Sequence, residues 1–328
     1  MASRALVRRS IGVALLAGAL IAHGLAGYFA QELIAEAAIL ALLALSLDLL
    51  ATCGLISFGH AGLLGVGAYA FAGMTVLAGT SPGPALAAAI AAGALVACVV
   101  GLFAVRTSGA FFIMVTLAAA EMFYAWCFRN KAFNGADGMS GVPRLDLSTI
   151  GVDLADPGSF AMAAVAVCAM VWLVLELVVS SPFGRTLDAI RQNPGRVAAL
   201  GGRVALYRLA AFTISGAIAA LAGALKVQHL NFISPELVSW FVSGDVLIAV
   251  IIGGIRTLVG GPLGATLLVL LKETLSSSFG HWYLFLGVIF AGVALLLPKG
   301  LVGHLIDLGN LRAARSADLP SGRAEKTA

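Results

Sequence analysis

Apolar residues along this chain come in long continuous runs, and those runs set the architecture. At about 20 residues per membrane crossing they divide into about ten segments, centred on 11–30, 32–52, 61–78, 84–105, 110–128, 160–179, 209–227, 241–255, 263–279 and 282–298. Two of them, 241–255 and 263–279, are marginal, which leaves eight to ten crossings. Runs of this length exclude the short alternating strands of a β-barrel. The pattern predicts an all-α polytopic membrane protein, one transmembrane domain over residues 1–328.

The run through 54–69 is interrupted by Gly54, Gly59, Gly62, Gly65, Gly67 and His60. Backbone that leaves the helix in lipid must be buried in protein or line a wet cavity, since nothing else satisfies its N–H and C=O groups. A broken helix is thus a pathway signal. The alternative is close helix packing through small residues, for which Ala61 with Gly65 and Ala68 with Ala72 have the right spacing. A second interruption, Gly253–Ala265, lies in the other half and suggests a duplication with broken helices facing one centre. Ala219, Ala220, Gly223 and Ala224 offer another packing face.

Polar residues inside these runs need a reason, because a charge at a helix centre costs about 2.5–3.5 kcal/mol on insertion scales. Asp48 either faces the pathway or bonds to N–H groups of the 54–60 break; His60 either lines the pathway or caps unwound backbone. Glu121 and Asp245 are expected to face the bundle interior or a subunit interface. Glu176, Lys226, Lys272 and Glu273 lie nearer span ends, where long side chains snorkel. Tyr69, Phe58 and Trp240 fit packing or interfacial roles as readily as ligand contact. The candidate pathway residues are Asp48, Ser57, Phe58, Gly59, His60, Tyr69, Gly253 and Gly254.

Composition sharpens the class. Charged residues make up 11% of the chain against about 25% in soluble domains. Cys53, Cys98, Cys127 and Cys168 are scattered in apolar runs without metal-ligand spacing, as small buried hydrophobes are. Arg4, Arg8 and Arg9 precede 11–30, which reads as an uncleaved first span. Basic residues concentrate in 1–10, in 180–208 and in 299–328, whereas 129–159 sets Arg129, Lys131 and Arg144 against four aspartates. The positive-inside rule and ten crossings then agree: both termini and 180–208 are cytoplasmic and 129–159 is periplasmic.

The 180–208 segment carries two start signals, Ser181-Pro182 and Asn193-Pro194, each a capping residue before a proline at the first helical position. They predict helices over 182–192 and 194–200, the second stopped by Gly201-Gly202. The second is too short to be stable alone and needs a surface to dock on. Its alternative is a basic loop lying on anionic headgroups.

Taken together, Ser46–Leu50, Leu55–Tyr69, Gly138–Pro143, Ser181–Arg191, Ala198–Gly201, Tyr207–Phe212, Gly253–Ala265 and Leu297–Leu301 resemble the permease subunit of bacterial high-affinity branched-chain amino acid ABC importers, the LivM type. The resemblance runs from about residue 35 to 303. It departs at Asp48, where the family usually has Asn, at Cys53-Gly54-Leu55, where a more polar stretch is usual, and at Arg256, where Gly is more usual. The resemblance implies an ABC importer permease bundle in the bacterial inner membrane, forming half of the translocation pathway. Its implied partners are a second homologous permease subunit, two cytoplasmic ATPase subunits, a periplasmic substrate-binding protein and membrane lipid, with no nucleic acid. No cofactor is expected in this chain: it has no G-x-x-x-x-G-K-[ST] phosphate loop, so ATP and Mg belong to the partners. Pro182, Arg185, Arg191, Pro194, Ala198, Ala199 and Gly201 are the implied ATPase-coupling residues.

The substrate is open: urea, short amides and aromatic acids stand beside leucine, isoleucine and valine. Two other classes compete. An ion-coupled carrier would use Asp48, Glu121 or Asp245, but would have no need of the capped 182–201 pair. An intramembrane enzyme would use His60 or Asp48 as base, but the five histidines are dispersed and no H-E-x-x-H occurs.

Overall fold

The computed structural model describes residues 12, 18, 27–146, 153–278, 280–297 and 300–304. The expected first span 11–30 lies outside them but for a few positions, as do the basic N-terminus and the tail beyond 304.

Among the described residues eleven α-helices follow in order: α1 Tyr28–Thr52, α2 His60–Ala72, α3 Pro82–Ala104, α4 Ala110–Arg129, α5 Pro157–Ser180, α6 Pro182–Gln192, α7 Pro194–Ala199, α8 Val204–Leu230, α9 Trp240–Gly253, α10 Gly260–Ser278 and α11 Trp282–Leu296. Six of them, α1, α2 with its π-helical extension Gly73–Leu77, α3, α4, α5 and α8, are long and apolar enough to cross a membrane. α9 has 14 residues, about 21 Å at 1.5 Å per residue, short of the roughly 30 Å hydrocarbon core. The other expected segments thus fall on α1–α5 and α8–α11, and the three helices outside the set of six lie together at the C-terminal end.

α1 is the axis of the bundle, buried on all sides from Ala41 to Thr52. It packs on α5, α8 and α10, while α8 also packs against α2 and α3. Small residues allow these approaches. A Cβ on Gly67 would overlap Ala220, one on Gly223 would overlap the Leu64 carbonyl, and Gly93 and Gly216 meet Ala220 and Ala97 in the same way. The packing reading therefore holds for the glycines after His60, which lie inside a continuous helix. α3 and α4 sit on the rim, with large apolar side chains such as Phe103, Phe111, Met114 and Met122 exposed.

A two-residue antiparallel ladder, β1 Met139–Ser140 with β2 Phe232–Ile233, ties the loop after α4 to the chain just beyond α8. Arg144 reinforces it by donating to the carbonyls of Gln228 (3.1 Å), Leu154 (2.8 Å) and Ala155 (3.0 Å). Since this loop clamps to the end of α8 and α6–α7 lead into its start, the two loops with opposite charge balance lie at opposite ends of the bundle.

Candidate functional site

Both interruptions are real breaks, and each is closed by its own chemistry. α1 stops in a left-handed glycine cap: Gly54 has φ +80°, its N–H donates to Ala51 O (3.1 Å) and the Leu55 N–H to Leu50 O (3.4 Å), the paired bonds of a Schellman motif. Beyond it, hydroxyls satisfy the unwound backbone. Ser57 Oγ accepts from the Gly59 N–H (3.0 Å), Thr116 Oγ1 from the Phe58 N–H (3.3 Å) and Ser243 Oγ from the Ala61 N–H (2.9 Å). Thr116, Ser243 and Ser215 were not legible as site residues, since isolated hydroxyls in apolar spans give no periodic signal.

His60 is fully buried and its Nε2 lies 2.9 Å from Ser215 Oγ, which donates its only proton to Ser46 O at 2.7 Å. That assigns the tautomer: Nε2 carries the proton and donates to Ser215. Through Nε2, His60 bonds a hydroxyl on a neighbouring helix rather than unwound backbone. It is a cross-brace from the start of α2 through α8 to α1, left for that role because hydroxyls already cover the break.

Gly59 stands at the N-terminus of α2. Its φ is −88°, ordinary for any residue, so it is not kept for a left-handed turn. It is kept for proximity: a Cβ there would lie 2.8 Å from Thr116 O.

The second break spans 254–259. Gly254 (φ +116°), Arg256 (φ +67°) and Leu258 (φ +58°) are all left-handed, a conformation that costs an L-residue about 1–2 kcal/mol. Asp48 holds it. The carboxylate is completely buried and accepts from the Arg256 N–H with one oxygen and from the Leu258 N–H with the other, at 2.7 Å. Thr257 Oγ1 closes the turn, donating to Gly254 O (2.7 Å) and accepting from the Gly260 N–H (2.8 Å). Asp48 therefore bonds N–H groups of unwound backbone, as one reading had it, with two of them supplied by the second break. It reaches across to that break, and its charge is satisfied by backbone dipoles. Gly253 lets α9 touch the start of α10, since a Cβ there would overlap the Gly260 carbonyl.

The α6–α7 pair forms as its caps predict. Ser181 Oγ accepts from the Gly184 N–H (3.5 Å) and Asn193 Oδ1 from the Arg196 N–H (2.9 Å). α7 ends at Ala199 with Gly201 at φ +85°, its N–H bonded to Ala198 O (2.9 Å) and that of Gly202 to Val197 O (2.9 Å). This is a complete Schellman motif. α6 buries Leu187 and Ile190, but α7 buries nothing and Leu200 is 84% exposed. Pro182, Arg185, Pro194, Ala198 and Ala199 lie along this pair, and Arg191 sits at its elbow.

That elbow touches the breaks. A Cβ on Gly54 would lie 3.1 Å from Arg191 Cγ. Asp188, one turn earlier, is pushed up by partial burial but held below the ordinary carboxylate range by hydrogen bonds from Arg191 and Gln192, with Arg256 of the second break adding attraction. Tyr69 is not part of this constellation. It lies in an aromatic cluster with Phe123, Trp126 and Phe133, at centroid distances of 4.9–6.4 Å.

Two lysines in the spans pair with acids, and a histidine lies beside a third acid. Lys226 bonds Glu36, His229 lies 3.3 Å from Glu32, and Lys272 bonds Asp245. Lys226 and Lys272 therefore do not snorkel as expected, because acids on neighbouring helices intercept them. Glu176 is likewise buried, at 4% exposure. Among the described residues, no group of His, Cys, Asp and Glu could hold a metal ion.

Comparison with known proteins agrees with this architecture. The high-affinity branched-chain amino acid transport system permease protein LivM of Salmonella typhimurium is 27% identical over 271 residues, covering 76% of this chain and 64% of the relative. LivM of Escherichia coli is 26% identical over 273 residues, with the same two shares, 76% and 64%. The probable permease protein LivH of Methanocaldococcus jannaschii is 29% identical over 158 residues, 44% of this chain and 48% of the relative. The chain thus spans 64% of the length of the LivM proteins it matches. No solved structure matches. The family described as branched-chain amino acid transport system / permease component matches residues 29–297, and with its multi-pass helical bundle and two glycine-marked breaks, this chain belongs to that family.

Proposed function

We propose that this chain is the permease subunit of an ATP-driven importer. It forms half of a translocation pathway for branched-chain amino acids, the substrate class in the names of its LivM and LivH relatives. A second permease subunit supplies the other half, two cytoplasmic ATPase subunits bind ATP and Mg, and a periplasmic protein delivers the substrate. The chain resides in the inner membrane with both termini and α6–α7 cytoplasmic and the 129–159 loop periplasmic. In this reading Ser57, Phe58, Gly59 and His60, with Gly253 and Gly254 opposite, belong to the gating region. Asp48 holds that region together and does not bind substrate.

One observation carries the proposal: α7 is a fully capped helix that buries none of its residues against the described part of this chain, and the elbow joining it to α6 lies against the first break. A helix of this length is unstable without a partner, and a partner that moves it would move the break. The ion-coupled alternative fits less well, because Asp48 is occupied by two backbone N–H groups and Asp245 by Lys272.

The test is uptake with and without a co-expressed ATPase. Uptake should need the ATPase and be blocked by vanadate. Gly201→Val, which cannot adopt the left-handed cap, should leave insertion and assembly intact while abolishing substrate-stimulated ATP hydrolysis. Uptake by the permease subunits alone would assign the chain to the ion-coupled class.

A further inference from the structure

The outward face of α4 ends in a feature that the import reading does not use. Phe111, Met114, Ala118, Met122 and Trp126 form an exposed apolar stripe with steps of three and four residues, one face of a helix. At its C-terminal end the stripe opens into a cleft of about 520 Å³, walled by Met122, Ala125 and Trp126 and floored by Arg129, Asn130 and Lys131. The wall is rigid: the Trp126 ring stacks on Phe123 at 5.5 Å with an interplanar angle of 19°, and Tyr69 meets it edge-on at 6.4 Å. The floor is fixed by a turn in which Asn130 Oδ1 accepts from the Ala132 N–H and Phe133 is buried beneath. Among the described residues, neither Arg129 nor Lys131 has an ion pair or a side-chain hydrogen bond. This sets them apart from Lys226 and Lys272, which are both paired.

We propose that this cleft is a headgroup site for an anionic phospholipid, with its phosphate between Arg129 and Lys131 and its acyl chains along the α4 stripe. Single interfacial cations and tryptophans anchor many membrane helices. Here two unpaired cations share a concavity that continues into an apolar track, and that combination fits one diacyl lipid. Ala118 is exposed between Met114 and Met122 on the stripe, and its small side chain leaves room there for an acyl chain. A zwitterionic headgroup brings its own amine against the same two cations and is disfavoured.

The test measures binding of labelled phosphatidylglycerol and phosphatidylcholine to the full chain, purified with the subunits that accompany it. The expected preference for phosphatidylglycerol is about thirtyfold, about fivefold per cation. Arg129→Gln with Lys131→Gln should abolish that preference without changing the unfolding temperature. Trp126→Ala should weaken both lipids while leaving their ratio unchanged. Arg106→Gln, an exposed cation outside the cleft, should change nothing. The proposal is overturned if the preference survives the double substitution, or if Arg106→Gln lowers it equally. Displacement of the lipid by inorganic phosphate would also overturn it, since the site would then take free anions.

Discussion

The two breaks look alike in sequence, glycine-marked gaps in apolar runs, yet they are held in opposite ways. The first break is fastened by neutral hydroxyls, Ser57 and Thr116 on residues 58–59 and Ser215 and Ser243 on the first two residues of α2, and its left-handed position is a glycine. Residues 254–259 put arginine and leucine into left-handed backbone and fasten them with one buried carboxylate from α1. Hydrogen bonds to a charged group are worth about 1.5–3 kcal/mol each, neutral ones about 0.5–1.5. The second break is therefore the fixed member of the pair and the first is the one able to rearrange. It is also the first break that α6 touches with a side chain.

The largest effect separates them. Asp48→Ala leaves the buried Leu258 N–H and the part-buried Arg256 N–H without this acceptor, at about 1–3 kcal/mol for a buried group, and should lower the unfolding temperature in detergent sharply. Asp48→Asn keeps one acceptor and should fall about midway. A stability equal to that of the unsubstituted chain in Asp48→Ala would show that the carboxylate holds nothing.

At the first break the expected damage is to motion more than to stability. Gly59→Leu forces a side chain against the Thr116 carbonyl, an overpacking worth about 1–3 kcal/mol, and should stop uptake while the complex still assembles. His60→Ala removes one cross-brace and should slow uptake by a few-fold only. Uptake and complex yield measured together check both. A dead His60→Ala beside a normal Gly59→Leu would make the histidine, and not the close approach, the working part.

The smallest effect has the opposite sign. Arg256→Gly relieves a left-handed arginine and should raise the unfolding temperature by the equivalent of about 1 kcal/mol. No gain, or a loss, would mean that the arginine side chain contributes more than its backbone strain costs.

These particulars show what was legible. Helix positions, both breaks and both α6–α7 caps could be read because apolar runs, glycines and Ser-Pro or Asn-Pro pairs act locally. The Asp48 partner was missed because its carboxylate serves N–H groups some 208–210 residues away, and a single chain carries no sign of that pairing. A comparable separation hid the Glu36–Lys226 pair, so Lys226 read as a snorkelling end residue. Arg256 in place of the more usual glycine was visible as a departure, and its left-handed φ gives the reason a glycine suits that position.

The link between α6 and the first break can be measured directly. A Cβ at position 54 would lie 3.5 Å from Arg191 Cβ, at the near edge of the disulfide separation of about 3.5–4.5 Å. With Cys53, Cys98, Cys127 and Cys168 changed to alanine, Gly54→Cys and Arg191→Cys form a pair that oxidation joins and reduction frees. In the assembled transporter, cross-linking should bring uptake and substrate-stimulated ATP hydrolysis down together, and reduction should restore both, with each single cysteine indifferent to oxidant. A fully cross-linked transporter that still imports at its normal rate would contradict the coupling of α6 to the break.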